Sequence, residues 1–274
     1  MSNIVLFTNR SGSTLLADIL AYNDGSINLG EGLHSMARDY NYNKAGNRET
    51  ALYKKFSEGS LTVNHHNVRT RGSDHIGFFI AKQQRIDLLK NTKEQWTVKE
   101  NLEKLTIDWK FIRHSADNGI NVYLSHRRDV VAQFISKINA RYRLEVARQK
   151  NGSPFIFTNN STFEHYDEMK INFNWLHMYV NVFLEQLMMW RVVYETFPNI
   201  NVVSYEDVIQ PMNFESLGIS NATTEKYKTL TQHLIPTPFN TKNVVVIDDH
   251  PKPISGAWEQ ALYYIEHHKY LVEI

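Results

Sequence analysis

Short apolar runs set between polar residues punctuate the chain: Ile4-Val5-Leu6-Phe7, Trp96-Thr97-Val98-Lys99, Asn121-Val122-Tyr123-Leu124 and Asn201-Val202-Val203-Ser204. Runs of this length predict strands buried in a parallel sheet. Between them, apolar positions recur at helical spacing. Leu102, Leu105, Trp109 and Ile112 form one set. Trp175, Met178, Tyr179, Val182, Phe183, Met189, Trp190 and Val193 form a longer one, which ends near Phe197-Pro198 and is expected to be buried over much of its surface. The tail turns polar after Pro236 and closes with a helix predicted over Ala257–His268. Strands alternating with helices predict βαβ units, hence an α/β fold with a central parallel sheet flanked by helices.

Two stretches break this rhythm. Residues 38–75 are rich in Asn, Lys, Arg, His and Gly, and residues 150–172 are polar with scattered aromatics. Both exceed ordinary connection lengths, and insertions of that size commonly serve as lids or substrate-binding segments. The expectation is one domain over residues 1–274 with these two insertions on its acceptor side.

Composition narrows the function classes. Apolar residues make up 42% of 274, enough for a packed core. Lys+Arg 30 against Asp+Glu 29 leaves a net charge of +1, which argues against nucleic acid as partner and against a polybasic membrane binder. With no cysteine there is no disulfide, no thiolate metal site and no thiol nucleophile. No run of about 18 apolar residues is present to span a membrane, and Met1-Ser2-Asn3 leads directly into a strand, so a cytoplasmic location is expected. His65-His66 and His267-His268 read as surface pairs, because adjacent histidines diverge in regular structure; no metal is expected.

Three short segments carry candidate chemistry. Arg10-Ser11-Gly12-Ser13-Thr14 joins the first predicted strand to a helix beginning Leu15-Leu16-Ala17. A strand–loop–helix of this kind aims backbone N–H groups and a helix dipole at one anion. It differs from the nucleotide-triphosphate loop G-x-x-x-x-G-K-[ST]: no Lys follows Gly12, and Arg10 supplies the charge. Second, Ser125-His126-Arg127-Arg128 enters another helix, in which Ser136 lies eight residues beyond Arg128. A guanidinium fork and a hydroxyl converging from those positions suit a phosphate monoester. Read alone, the arginines also fit a solvated helix start. Third, Tyr205-Glu206-Asp207-Val208 closes the strand at Val202-Val203, and its acids equally suit the positive end of a helix.

Together the three segments resemble those of the sulfotransferase superfamily, in order and in spacing over some 200 residues. The first looks like its R-S-G-[ST]-T phosphosulfate loop, the second like its R-x₇-S element and the third like its Y-E-D-[LV] segment. The resemblance implies a P-loop-like three-layer core. It implies 3′-phosphoadenosine 5′-phosphosulfate as co-substrate, the desulfated nucleotide as product, and a hydroxyl-bearing acceptor of unknown identity. Arg10, Ser11, Gly12, Ser13 and Thr14 would hold the phosphosulfate, Arg128 and Ser136 the 3′-phosphate, and Tyr205 would lie near the adenine. The chain is more similar to the branch containing tyrosylprotein and some bacterial sulfotransferases than to the cytosolic aryl enzymes. In that branch a Gly-Glu pair supplies the base, matched here by Gly30-Glu31, and a strand-end lysine assists, matched by Lys99. His34 is the alternative base. Lys252 resembles a Lys-Pro-aliphatic step in the nucleotide-capping region, with Lys242 as competitor. The rival functions are a P-loop kinase, which would need the absent lysine, and a nucleotide-binding module without turnover.

Overall fold

A computed structural model describes residues 1–31, 33, 82–102, 107–151, 169–230 and 244–274. The strands are β1 (Asn3–Phe7), β2 (Ile27–Asn28), β3 (Trp96–Asn101), β4 (Asn121–His126), β5 (Met169–Asn172), β6 (Asn201–Ser204) and β7 (Val244–Ile247). The helices are α1 (Ser13–Asp24), α2 (82–91), α3 (Trp109–Asp117), α4 (Val130–Asn151), α5 (Phe173–Thr196), α6 (Asn221–Leu230) and α7 (Ala257–His267). The expected parallel sheet is present, with five strands in the order β2-β3-β1-β4-β6.

The apolar side chains of the sheet are buried on both of its faces. Side chains alternate along a strand. Ile4 and Leu6 of β1, Val98 of β3 and Val122 and Leu124 of β4 therefore face one layer, where Phe134, Phe183, Leu187 and Trp190 of α4 and α5 pack. Val5, Tyr123 and Val203 face the other, against Leu15, Leu16, Ile19 and Leu20 of α1 and Ile209 and Phe214 beyond β6. Each fully buried Leu, Ile or Phe is worth about 1.5–3 kcal/mol, so the two layers hold the sheet from both sides.

The strand order sets where a ligand can bind. From β1 the chain crosses to the sheet edge at β2, returns to β3 beside β1, and then crosses to β4 on the opposite side. Connections leaving β1 and β3 thus diverge, which opens a crevice beyond the carboxyl ends of these strands. The register aligns those ends: Phe7 lies opposite Asn101 and Ser125, and His126 opposite Ser204.

Three expectations need correction. The helix expected from Leu102 starts at Trp109, because Asp108 caps it by accepting from Phe111 N at 2.8 Å; Leu102 instead extends the β3 ladder, its N–H donating to Phe7 O at 2.9 Å. α5 does end at Phe197-Pro198, but Trp175, Met178 and Val182 are exposed, so only one side of it is buried. β5 and β7 form a separate parallel pair, β5 from the end of a segment read as polar and β7 from the polar tail. The two insertions, apart from residues 150, 151 and 169–172, lie outside the described residues.

Candidate functional site

The loop after β1 is folded from below. Ser11 Oγ donates to Thr8 O at 2.8 Å, and Ser125 Oγ at the end of β4 donates to Ser11 O at 2.9 Å. The Ser11 hydroxyl therefore faces the sheet, fully buried, and not the crevice. Arg10 and Gly12 have φ of 67° and 77°, while Ser11 between them stays out of the left-handed region. The Ser11 N–H is spent inside this turn, donating to Thr8 O at 3.3 Å, so the N–H groups left for an anion are those that follow it, at the start of α1. Gly12 has a second constraint: a Cβ there would lie 2.7 Å from Ile209 Cγ2 and 2.9 Å from Tyr205 Cδ2. Gly12 also caps α1 with no side-chain hydrogen bond and no acidic residue in the first turn, which leaves the first-turn N–H groups and the positive helix end facing the crevice.

Beside the loop, Lys99, Thr14 and Glu31 converge. Lys99 Nζ donates to Thr14 Oγ1 at 2.8 Å and to Glu31 Oε1 at 3.1 Å, and lies 5.1 Å from the centre of the Phe7 ring. Lys99 is 3% exposed and Glu31 30%, so the carboxylate opens to solvent while the ammonium sits behind it. The two face each other because Lys99 N donates to Gly30 O at 2.7 Å, which ties the turn after β2 to β3. Gly30 makes that turn with a φ of 55°. Asn28 steadies the turn from beneath: its Oδ1 accepts from Gly30 N at 2.9 Å, and its Nδ2 donates to Asp18 Oδ1 on α1. Asp18 keeps some surface contact, yet its carboxyl group lies deep; burial pushes it up to about 7, against the opposing attraction of Lys99 and the hydrogen bonds of Asn28 and Tyr227.

The expected phosphate pair is assembled differently. Arg10 Nε donates to Ser136 Oγ at 3.1 Å, so Ser136 is held by the loop itself. Arg128, with its side chain 55% exposed, donates through Nη2 to Asp207 Oδ1 at 2.6 Å, and its backbone N–H donates to Glu206 Oε2 at 3.1 Å. Glu206 and Asp207 belong to a π-helical turn, Tyr205–Ile209, which follows β6 and is capped by Ser204. The Arg127 guanidinium lies 4.6 Å from the centre of the Tyr205 ring and covers it. Beneath them, burial pushes the His126 ring down to about 4; among the described residues its Nδ1 has no hydrogen-bond partner, and its ring centre lies 5.0 Å from that of Trp190.

Several residues that the sequence did not single out support the loop. Gln133 Nε2 donates to Thr8 Oγ1 at 2.7 Å and to Asn9 O at 2.8 Å. Asn101 Nδ2 donates to Asn9 Oδ1 at 3.3 Å and accepts at Oδ1 from Gln186 Nε2 at 3.3 Å. Lys82 of α2 pairs with Glu100 in the interior. The available signal was Lys99-Glu100 itself, because two adjacent charges at the end of a buried strand require partners on both faces. Lys252 lies in the turn after β7, where its N–H donates to Asp248 Oδ1 at 2.9 Å; among the described residues no contact brings it to the loop. His34 and Lys242 lie outside the described residues.

The hollow of about 470 Å³ between Arg113, Asp117, Asn121, Phe197 and Asn201 lies at the opposite edge of the sheet, by the amino ends of β4 and β6. No described helix is long and apolar enough to cross a membrane. Comparison with family models, with curated proteins and with solved structures finds no match to this chain.

Proposed function

We propose that the chain transfers a sulfuryl group from 3′-phosphoadenosine 5′-phosphosulfate to a hydroxyl acceptor, on a P-loop-like core. The observation that carries this reading is Lys99 Nζ bonded at once to Thr14 Oγ1 of the loop and to Glu31 Oε1. An acceptor hydroxyl approaching the loop from the open side meets the Glu31 carboxylate, which takes its proton as the oxygen attacks sulfur. The bond from sulfur to the bridging phosphate oxygen breaks, and Lys99 neutralises the charge that develops on that oxygen. Sulfuryl transfer of this kind depends on positioning and fixed charge, as in-line phosphoryl transfer does.

The loop suits the donor. The N–H groups at the first turn of α1 favour a phosphosulfate, and the lack of a lysine after Gly12 disfavours a nucleoside triphosphate. Arg10, Ser136 and Arg128 supply donors for the 3′-phosphate. Arg128 reaches it by exchanging the exposed Asp207 carboxylate for a phosphate, and exposed ion pairs of this kind hold by only about 0–1 kcal/mol.

Calorimetry with adenosine 3′,5′-bisphosphate, together with turnover of ³⁵S-labelled donor over a panel of hydroxyl acceptors, tests the proposal. Binding with metal-independent transfer supports it. Binding without transfer to any acceptor leaves a nucleotide-binding module, and Mg²⁺-dependent ATP binding in place of the bisphosphate replaces the reading with a kinase.

A further inference from the structure

We infer that Asp18 is a positioning residue for the Glu31–Lys99 pair, acting through Asn28 on the Gly30 turn. The inference rests on the sulfuryl-transfer reading for its catalytic consequence, but the physical link is independent of it. That link is continuous. Asn28 Nδ2 donates to Asp18 Oδ1, Asn28 Oδ1 accepts from Gly30 N at 2.9 Å, Gly30 O accepts from Lys99 N at 2.7 Å, and Lys99 Nζ donates to Glu31 Oε1 at 3.1 Å. Asp18 stands one helical turn after Thr14 on α1, and Thr14 Oγ1 takes the other bond from Lys99 Nζ at 2.8 Å. One helix thus grips the pair twice: directly through Thr14, and through β2 from Asp18.

The arrangement has a chemical logic. β2 contributes two residues to the edge of the sheet, and the backbone bonds that continue past it, Leu29 N to Thr97 O at 2.8 Å and Lys99 N to Gly30 O at 2.7 Å, leave the Gly30 N–H to the Asn28 side chain. The amide of Asn28 can orient the Gly30 N–H only if its own flip state is set, and an oxygen on Asp18 sets it by demanding the NH₂ end. The charged or titratable groups facing Asp18 are Lys99 from β3 and Tyr227 from α6. Burial holds the Asp18 carboxyl up to about 7, so its neutral form, still an acceptor toward Asn28, prevails in weakly acidic solution.

The test combines Asp18→Ala, Asp18→Asn and Asn28→Ala with two measurements. The first is hydrogen exchange of the Gly30 amide, which needs no substrate. Its protection is expected to fall in Asp18→Ala and Asn28→Ala and to return in Asp18→Asn, whose amide oxygen preserves the acceptor. The second is donor turnover beside affinity for adenosine 3′,5′-bisphosphate. Turnover is expected to fall about 100-fold in both alanine variants, the scale of a misplaced catalytic group, with affinity changed less than about threefold, and to recover in Asp18→Asn. Gly30 protection unchanged in both alanine variants overturns the link. Lost protection with undiminished turnover overturns the positioning role. If the unaltered protein neither binds the bisphosphate nor turns over donor, the functional reading fails, while the exchange data still decide whether Asp18 orders the turn.

Discussion

Arg10 Nε and Ser136 Oγ, 126 positions apart, meet at 3.1 Å, and this bond joins the loop after β1 to the second turn of α4. It connects the loop to the segment that begins at Arg128, so the proposed nucleotide with two separated phosphates would find donors for both side by side. Ser136→Ala and Arg10→Ala are each expected to weaken binding of adenosine 3′,5′-bisphosphate by about tenfold or more, as for loss of a hydrogen bond to a charged group. In a double-mutant cycle by calorimetry, the two losses should be less than additive, because each variant disrupts the same bond.

Glu31→Gln removes the proposed proton acceptor and keeps the shape. Turnover should fall about 10²- to 10⁴-fold, with nucleotide affinity nearly intact. Unchanged turnover would transfer the role to another base, His34 first. Lys99→Met should cost both turnover and stability, because it leaves Glu31 and Thr14 without the ammonium that joins them.

Gly12→Ala tests the loop backbone. The substitution meets both a φ of 77° and a contact of 2.7 Å with Ile209 Cγ2. Left-handed strain and overpacking together should cost about 2–5 kcal/mol. The melting temperature should drop by several degrees, and nucleotide binding should be lost even in the fraction that folds.

Two buried groups give stability opposite pH slopes. Asp18 moves from 3.8 up to about 7 on folding, chiefly by burial, so its contribution is complete below pH 3.8 and is lost as pH rises through 7. His126 moves from 6.5 down to about 4, also by burial, so its contribution is complete above pH 6.5 and is lost as pH falls through 4. The melting temperature of Asp18→Asn, relative to the unaltered protein, should therefore climb from pH 4 to pH 7. That of His126→Phe should climb in the reverse direction. Parallel curves for variant and parent would contradict these assignments.

Much of the sheet was legible because β1, β3, β4 and β6 carry short apolar or β-forming stretches flanked by polar residues, the mark of strands covered on both faces. β2 was not, because two residues at a sheet edge leave no periodicity to read. Val244-Val245-Val246-Ile247 was missed for a different reason: the polar composition around it outweighed a run that is strongly β-forming. At the site, Glu31, Lys99 and Thr14 were named from the sequence and lie together. Arg128 and Ser136 were expected to act as a pair, but Ser136 is held by Arg10 and Arg128 by Asp207, because α4 points its second turn toward the loop while the arginine at its start meets the acids beyond β6. Spacing fixes which residues share a helix, not which neighbouring element each will face. Gln133, Asn101 and Asn28 gave no signal at all, since buried amides become recognisable only once the backbone groups they serve have been placed.

The two-residue strand β2 also bears on how this protein would fail on heating. Glu31, the carboxylate proposed as base, follows the shortest strand of the sheet, while the lysine facing it sits in an interior strand. Edge segments open at lower free energy than the whole molecule unfolds. Activity should therefore fade reversibly several degrees below the melting transition, and a longer or better anchored edge strand would widen the working temperature range without altering any residue that touches substrate.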